Sequence, residues 1–203
     1  MNNFKNMKQL IFTLLIIILF SCNSRAPIDV KQIDSQEAVT ILPSLKNPLI
    51  KDSLSLSIPI ELEIHINSSK VSYITWNYIV NGKSQYDDTF DYQVYNKRNK
   101  THPISNLNAN DLSHSRKIIN IILKERNHLI SKKEAKELLK KYHINRSLDN
   151  LKFGDTIKLT TYDKFKKENK EIIKNITKIN DSISFKVTRG EKYFFFLDKK
   201  INW

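Results

Sequence analysis

Glu61, Glu63 and His65 stand at alternate positions in the run Ile60-Glu61-Leu62-Glu63-Ile64-His65-Ile66. Alternate side chains of an extended chain share a face, with neighbours about 6.6–7 Å apart. Two carboxylates at that separation can act as general acid and general base on a glycosidic bond. An imidazole beside them can carry a proton near neutral pH. The same pattern describes the wet face of an amphipathic strand, and the spacing favours that plainer meaning. Asp87, Asp88 and Asp91 form a second acidic group with the charge to attract calcium, but they lack the regular oxygen ligands of a calcium loop, so a solvated turn is expected. The histidines are His65, His102, His114, His128 and His143. No two are four residues apart and no His-Glu-x-x-His occurs, so no metal site and no cofactor are read.

The three glycines, Gly82, Gly154 and Gly190, each fall where a turn between strands is expected. That leaves no phosphate-binding loop, no dinucleotide fingerprint and no Gly-x-Ser-x-Gly elbow. A protein without catalytic activity is therefore expected. A hydrolase of envelope glycans or peptides using Glu61 or His65 is the competing class.

The elements that must position these residues follow from periodicity. Leu54 to Ile66 alternates over thirteen residues, with Pro59 marking an edge position or a break. Val71 to Val80 is a second strand. Asn81-Gly82 then signals a two-residue hairpin, whose turn positions need positive φ, and Tyr86 to Tyr95 is the expected return strand of a meander. Leu112, Ser115, Ile118, Ile119 and Ile122 have helical spacing. Ser131-Lys132-Lys133-Glu134 is a capping box opening a second helix. Thr156–Tyr162, Ile172–Ile179, Ser182–Thr188 and Tyr193–Leu197 read as strands, with the charged 164–170 segment as a hairpin loop. Tyr193-Phe194-Phe195-Phe196-Leu197 is apolar on both faces, which predicts a central strand.

The fold class is thus mainly β with a helical insertion at about 111–145: an antiparallel β-sandwich or meander sheet plus two helices, with an α+β roll as the alternative. Residues 50–203 are expected to be one domain, 22–49 a tether and 1–21 a signal peptide. The first strands and Leu151-Lys152-Phe153-Gly154-Asp155-Thr156 loosely resemble immunoglobulin-like bacterial envelope domains, in which an apolar-x-x-Gly-acid turn opens a strand. The hexapeptide is too short to carry any function across.

Two surfaces are candidates for binding. The aromatics concentrate on one hairpin, and Trp76, Tyr78, Tyr86 and Tyr92 form one possible surface, since exposed tyrosine commonly anchors interfaces. The other is basic. The chain carries a net charge of +13, unevenly spread, with 6 Lys/Arg against 9 Asp/Glu in residues 22–96 and 26 against 12 in 97–203. Lys132, Lys133, Lys136, Lys140 and Lys141 lie on the second helix. They suit a protein or anionic envelope partner, although a chain rich in Ile, Asn and Lys also acquires lysine by composition.

Lys5 and Lys8 precede an apolar run from Leu10 to Phe20 that is too short to span a bilayer and has the length of a signal core. The run ends in Leu19-Phe20-Ser21-Cys22, and Cys22 is the single cysteine. This tetrapeptide resembles the lipobox of bacterial lipoproteins. The resemblance implies acylation of Cys22, an extracytoplasmic chain starting there, and membrane anchoring by several acyl chains. The rest of the chain then has no thiol and no disulfide. Asn23 in place of Asp points to the outer membrane over the inner, and a cell-envelope location makes nucleic acid an unsuitable partner. An immunity or inhibitor protein is one concrete form of such a binder; a structural lipoprotein without a dedicated ligand is a further alternative.

Overall fold

The computed structural model describes residues 26–44, 53–85, 91–113, 117–152, 154–190 and 193–203. The architecture is mainly β, with three antiparallel sheets and helices packed beside them. The first sheet has the order β1 (Ile28–Ile33), β4 (Pro59–Ile66), β9 (Ile118–Glu125), β7 (Tyr92–Asn96). The second runs β10 (His128–Ser131), β3 (Ser53–Ser57), β2 (Ala38–Pro43), β11 (Ile157–Thr161). The third runs β13 (Tyr193–Lys200), β12 (Asp181–Arg189), β5 (Val71–Val80), β6 (Lys83–Ser84), with β8 (Asn106–Leu107) also on β5.

The first two sheets share a corner. The alternating run from Leu54 is broken at Ile58, so β3 and β4 lie in different sheets. The chain crosses back between β9 and β10 at Arg126-Asn127. Pro59 marks the break as expected. It opens β4, which is an interior strand, so the edge position offered as its other meaning is not taken. One apolar core joins all three sheets, and Tyr78 of β5 meets Tyr92 of β7 edge to face at 5.6 Å.

Several expectations need correction. The segment 22–49 is not wholly a tether: β1 and β2 lie within it and bury Ile28, Val30, Val39 and Ile41. The first helix is confined to α1 (Ala109–Ser113), and Ile118–Glu125 is a central strand. Four β-branched isoleucines in that segment favour the extended chain, and strands on both sides cover it. Residues 164–170 and 172–179 are not loop and strand. They form α3 (Tyr162–Glu168) and α4 (Lys170–Ile176), following α2 (Lys132–Lys141). Tyr162, Phe165, Asn169, Ile173 and Ile176 make their buried stripe at steps of three and four. Among the described residues β13 pairs only with β12, which makes it an edge strand. The return strand is also different. β6 is two residues long, and β7 pairs with β9 in the other sheet.

Other expectations match. β5 spans Val71–Val80, and Asn81 and Gly82 both have positive φ, at 49° and 76°, in the turn to β6. The capping box on α2 is complete: the Ser131 hydroxyl accepts from Glu134 N, and the Glu134 carboxylate accepts from Ser131 N.

Candidate functional site

The face of β4 carrying Glu61, Glu63 and His65 lies between β1 and β9. The trio divides. Glu61 is only 1% exposed, and its Oε1 accepts from Lys97 Nζ and from Asn120 Nδ2, the latter at 3.2 Å. Its Oε2 has no hydrogen-bond partner among the described residues. Glu63 Oε1 lies 2.6 Å from His65 Nε2 on the part-exposed end of the strand. The register places Lys31 and Asn120 beside Glu63, and Asp29 and Ile118 beside His65. None of these four is a hydroxyl or thiol that a His–carboxylate pair could activate. The expected wet face is therefore half covered: Lys97, whose N–H donates to Asn120 O, brings its ammonium over Glu61.

The aromatic surface read from the hairpin is not a surface. Trp76, Tyr78 and Tyr92 are buried in the core, because Ile74, Trp76 and Tyr78 all point to the face of β5 that meets the first sheet. Tyr86 lies outside the described residues, as do Asp87, Asp88, His114 and Cys22. Asp91 is buried, not solvated, and its carbonyl accepts from Arg126 N at 2.9 Å.

The lysines of α2 separate into two groups. Ala135, Leu138 and Leu139 turn to the core. Lys132, Lys133, Lys136 and Lys140, with Glu137, line an open hollow on the opposite side. Lys132 pairs with Asp149 at 2.5 Å, and this pairing holds the Asp149 carboxyl below its usual range. Lys133, Lys136 and Lys140 form no ion pair among the described residues. Lys141 serves the fold: its ammonium donates to Glu168 O at 2.6 Å and Asn169 Oδ1 at 2.8 Å, tying α2 to the α3–α4 junction.

A polar cluster that the sequence reading missed sits inside the molecule. Glu125 is fully buried at the corner between β9 and β10. Its Oε1 accepts from Ile58 N at 3.2 Å and its Oε2 from Asn127 N at 2.7 Å, so one carboxylate holds both crossing strands. His128 Nε2 stands 3.4 Å from Glu125 Oε1 without hydrogen-bond geometry. Its ring meets Trp203 edge on at 5.4 Å. Tyr78 donates to Asp181 Oδ2 at 2.9 Å. The C-terminal segment is held by Ile201 N to Asp181 O at 2.9 Å, and Asn202 and Gln32 exchange hydrogen bonds of 2.6 and 2.8 Å. Burial pushes the Tyr78 phenol far above its ordinary range, helped by the charges of Glu125 and Asp181. Burial raises the Asp181 carboxyl, opposed by the Tyr78 donor, and lowers the His128 imidazole to about 4. Such a set can hold and pass protons, but the hollows on α2 and at the α3–α4 junction are not lined by it.

The cluster had a signal. Glu125 continues the core phase of Ile119, Ile121 and Leu123, and Asp181 that of Ile183, Phe185 and Val187. A carboxylate in phase with an apolar strand face must be buried and partnered. Reading residues 112–122 as a helix hid the first of these. Among the described residues no three His, Cys, Asp or Glu side chains are grouped to hold a metal ion. No protein-family model matches this chain, and no match was found among curated proteins or solved structures.

Proposed function

We propose that this chain is an envelope lipoprotein, held to the outer membrane by acyl groups on Cys22, whose β-rich domain is a non-catalytic module binding an acidic surface of another envelope protein. An immunity or inhibitor protein is one form this takes. The observation that carries the reading is the outer side of α2. Lys133, Lys136 and Lys140 project from one rigid, capped helix, and no carboxylate among the described residues pairs with them. Helix lysines fixed by a packed inner face present charge at low entropic cost, which suits steering and registry of an acidic partner. No observation favours a hydrolase built on Glu61 or His65, since Lys97 and Asn120 already engage Glu61.

The test is a cross-linking pull-down from intact envelopes with tagged, anchored protein. A stoichiometric protein partner is expected, and it is lost when Lys133→Glu, Lys136→Glu and Lys140→Glu are combined. The thermal midpoint should hold, because these positions are exposed. Capture of no protein by the correctly anchored parent sinks the reading.

A further inference from the structure

One pole of the domain gathers the first described residue, three basic side chains and exposed apolar residues. Asn67 ties down the start of the described chain: its N–H donates to Pro27 O at 2.8 Å and its side-chain amide to Ala26 O at 3.2 Å. Ile66 N donates to Lys117 O at 2.7 Å, and Gly190 N to Lys70 O at 3.2 Å. Ala26, the 67–70 turn, the start of β9 and the tip of the β12–β13 hairpin are thus one connected end.

That end is apolar and basic at once. Tyr193 is 76% exposed and Phe194 55%, while Ile118 and Tyr73 are more than a third exposed. Tyr73, Thr188 and Phe194 form one cross-strand row on the outer face of the third sheet. Lys70 and Lys117 are exposed and Arg189 half-buried; Asp29, beside Ile28, is the acid set against them. One strand step back, Lys186 Nζ lies over the Phe194 ring at 4.3 Å. Aromatic residues flanked by Lys and Arg are the composition that settles at the boundary between lipid headgroups and acyl chains.

We propose that this pole rests on an anionic lipid surface, with Tyr193 and Phe194 at headgroup depth and Lys70, Lys117 and Arg189 facing the lipid charge. The inference rests on acylation of Cys22. That residue is four positions before Ala26, and four residues span at most about 14 Å of chain. A domain that begins so close to its anchor must lie against the bilayer, and the pole bearing Ala26 is the part that meets it. Ser131, which caps the start of α2, pairs with Ser53 at the end of β3 away from Ile58, whereas β4 runs from that corner to this pole. Lys133, Lys136 and Lys140 of α2 are therefore turned away from the bilayer.

The test uses the acylated protein purified from envelopes, with its mass establishing the acyl groups. An environment-sensitive fluorophore is placed by Ser69→Cys at the pole or by Lys136→Cys on α2, and the protein is reconstituted into vesicles containing phosphatidylglycerol. Quenching by nitroxide lipids is expected for the label at 69 and absent for the label at 136. Lys70→Glu with Lys117→Glu is expected to reduce the quenching at 69 several-fold, as is vesicle composition without anionic lipid. Labels at 69 and 136 that stay equally in water overturn the proposal. An unmodified Cys22 in the mass spectrum removes the anchor reading instead. The same labels on unacylated Cys22→Ser protein then test the pole alone, and failure to bind anionic vesicles overturns it.

Discussion

Glu61 and Glu125 lie on opposite faces of the first sheet. Both are withdrawn from water, yet what surrounds them differs in kind. Glu61 has an ammonium from Lys97 and an amide from Asn120, and one of its oxygens has no partner among the described residues. Glu125 has two backbone N–H donors, one from each crossing strand, with the imidazole of His128 close by. The first carboxylate is balanced by charge brought in from the far side of a turn. The second is balanced by dipoles at a corner that would otherwise leave buried N–H groups without acceptors. Burial of the same side chain thus has two meanings here: a clamp of one loop onto a sheet, and a staple on which two sheets and the C-terminal segment converge.

The difference sets the size of the expected effects. Glu125→Ala takes the acceptor from the buried Ile58 N and the half-buried Asn127 N and opens the corner. A loss of about 3–5 kcal/mol is expected from urea midpoints. Glu125→Gln keeps one acceptor oxygen and is expected to lose about 1–2 kcal/mol. Equal losses in the two variants would break the idea that the backbone donors are what matters.

Lys97→Met removes the cation from Glu61, at an expected cost of about 2–4 kcal/mol, towards the lower end because Lys97 is partly solvated. Glu61→Gln in the Lys97→Met background should restore most of that, since an amide needs no counter-charge. A double-mutant cycle with no coupling would remove Glu61 from the comparison.

A further effect depends on pH and belongs to the corner alone. Burial holds the His128 imidazole at about 4, against about 6.5 when unfolded. The unfolded chain therefore gains a proton that the folded chain refuses, and stability falls as the pH drops from about 6.5 towards 4. The expected loss is about 2–3 kcal/mol by pH 4.5. Asp181 acts in the opposite sense. Its carboxyl is raised, so the folded state holds a proton that the unfolded state releases, and that contribution is lost as the pH rises above the ordinary Asp value. His128→Phe keeps an aromatic ring against Trp203 and should flatten the fall between pH 7 and 4.5. An unchanged fall would mean that His128 is not the group refusing the proton.

Local rules were legible along the chain. The Asn81-Gly82 turn, the Ser131–Glu134 capping box, the strand at Val71–Val80 and the break at Pro59 depend on φ preferences and hydrogen bonds within a few residues. The mainly β class with helices follows from them. What only the tertiary structure decided was pairing. Isoleucine-rich residues 118–125 fit a helical face or a strand equally by spacing, and β4 and β7 on either side made them a strand. Tyr193–Leu197 has the composition of a central strand, but lies at an edge with Tyr193, Phe194 and Phe196 in solvent and Phe195 against the core. Tyr78 and Tyr92 became core because two sheets close over them. Periodicity fixes which residues share a face. Whether a face is covered depends on segments distant in sequence, and for Glu61, Glu125 and Lys133, Lys136 and Lys140 of α2 that distant covering is what separates a buried carboxylate from an exposed cation.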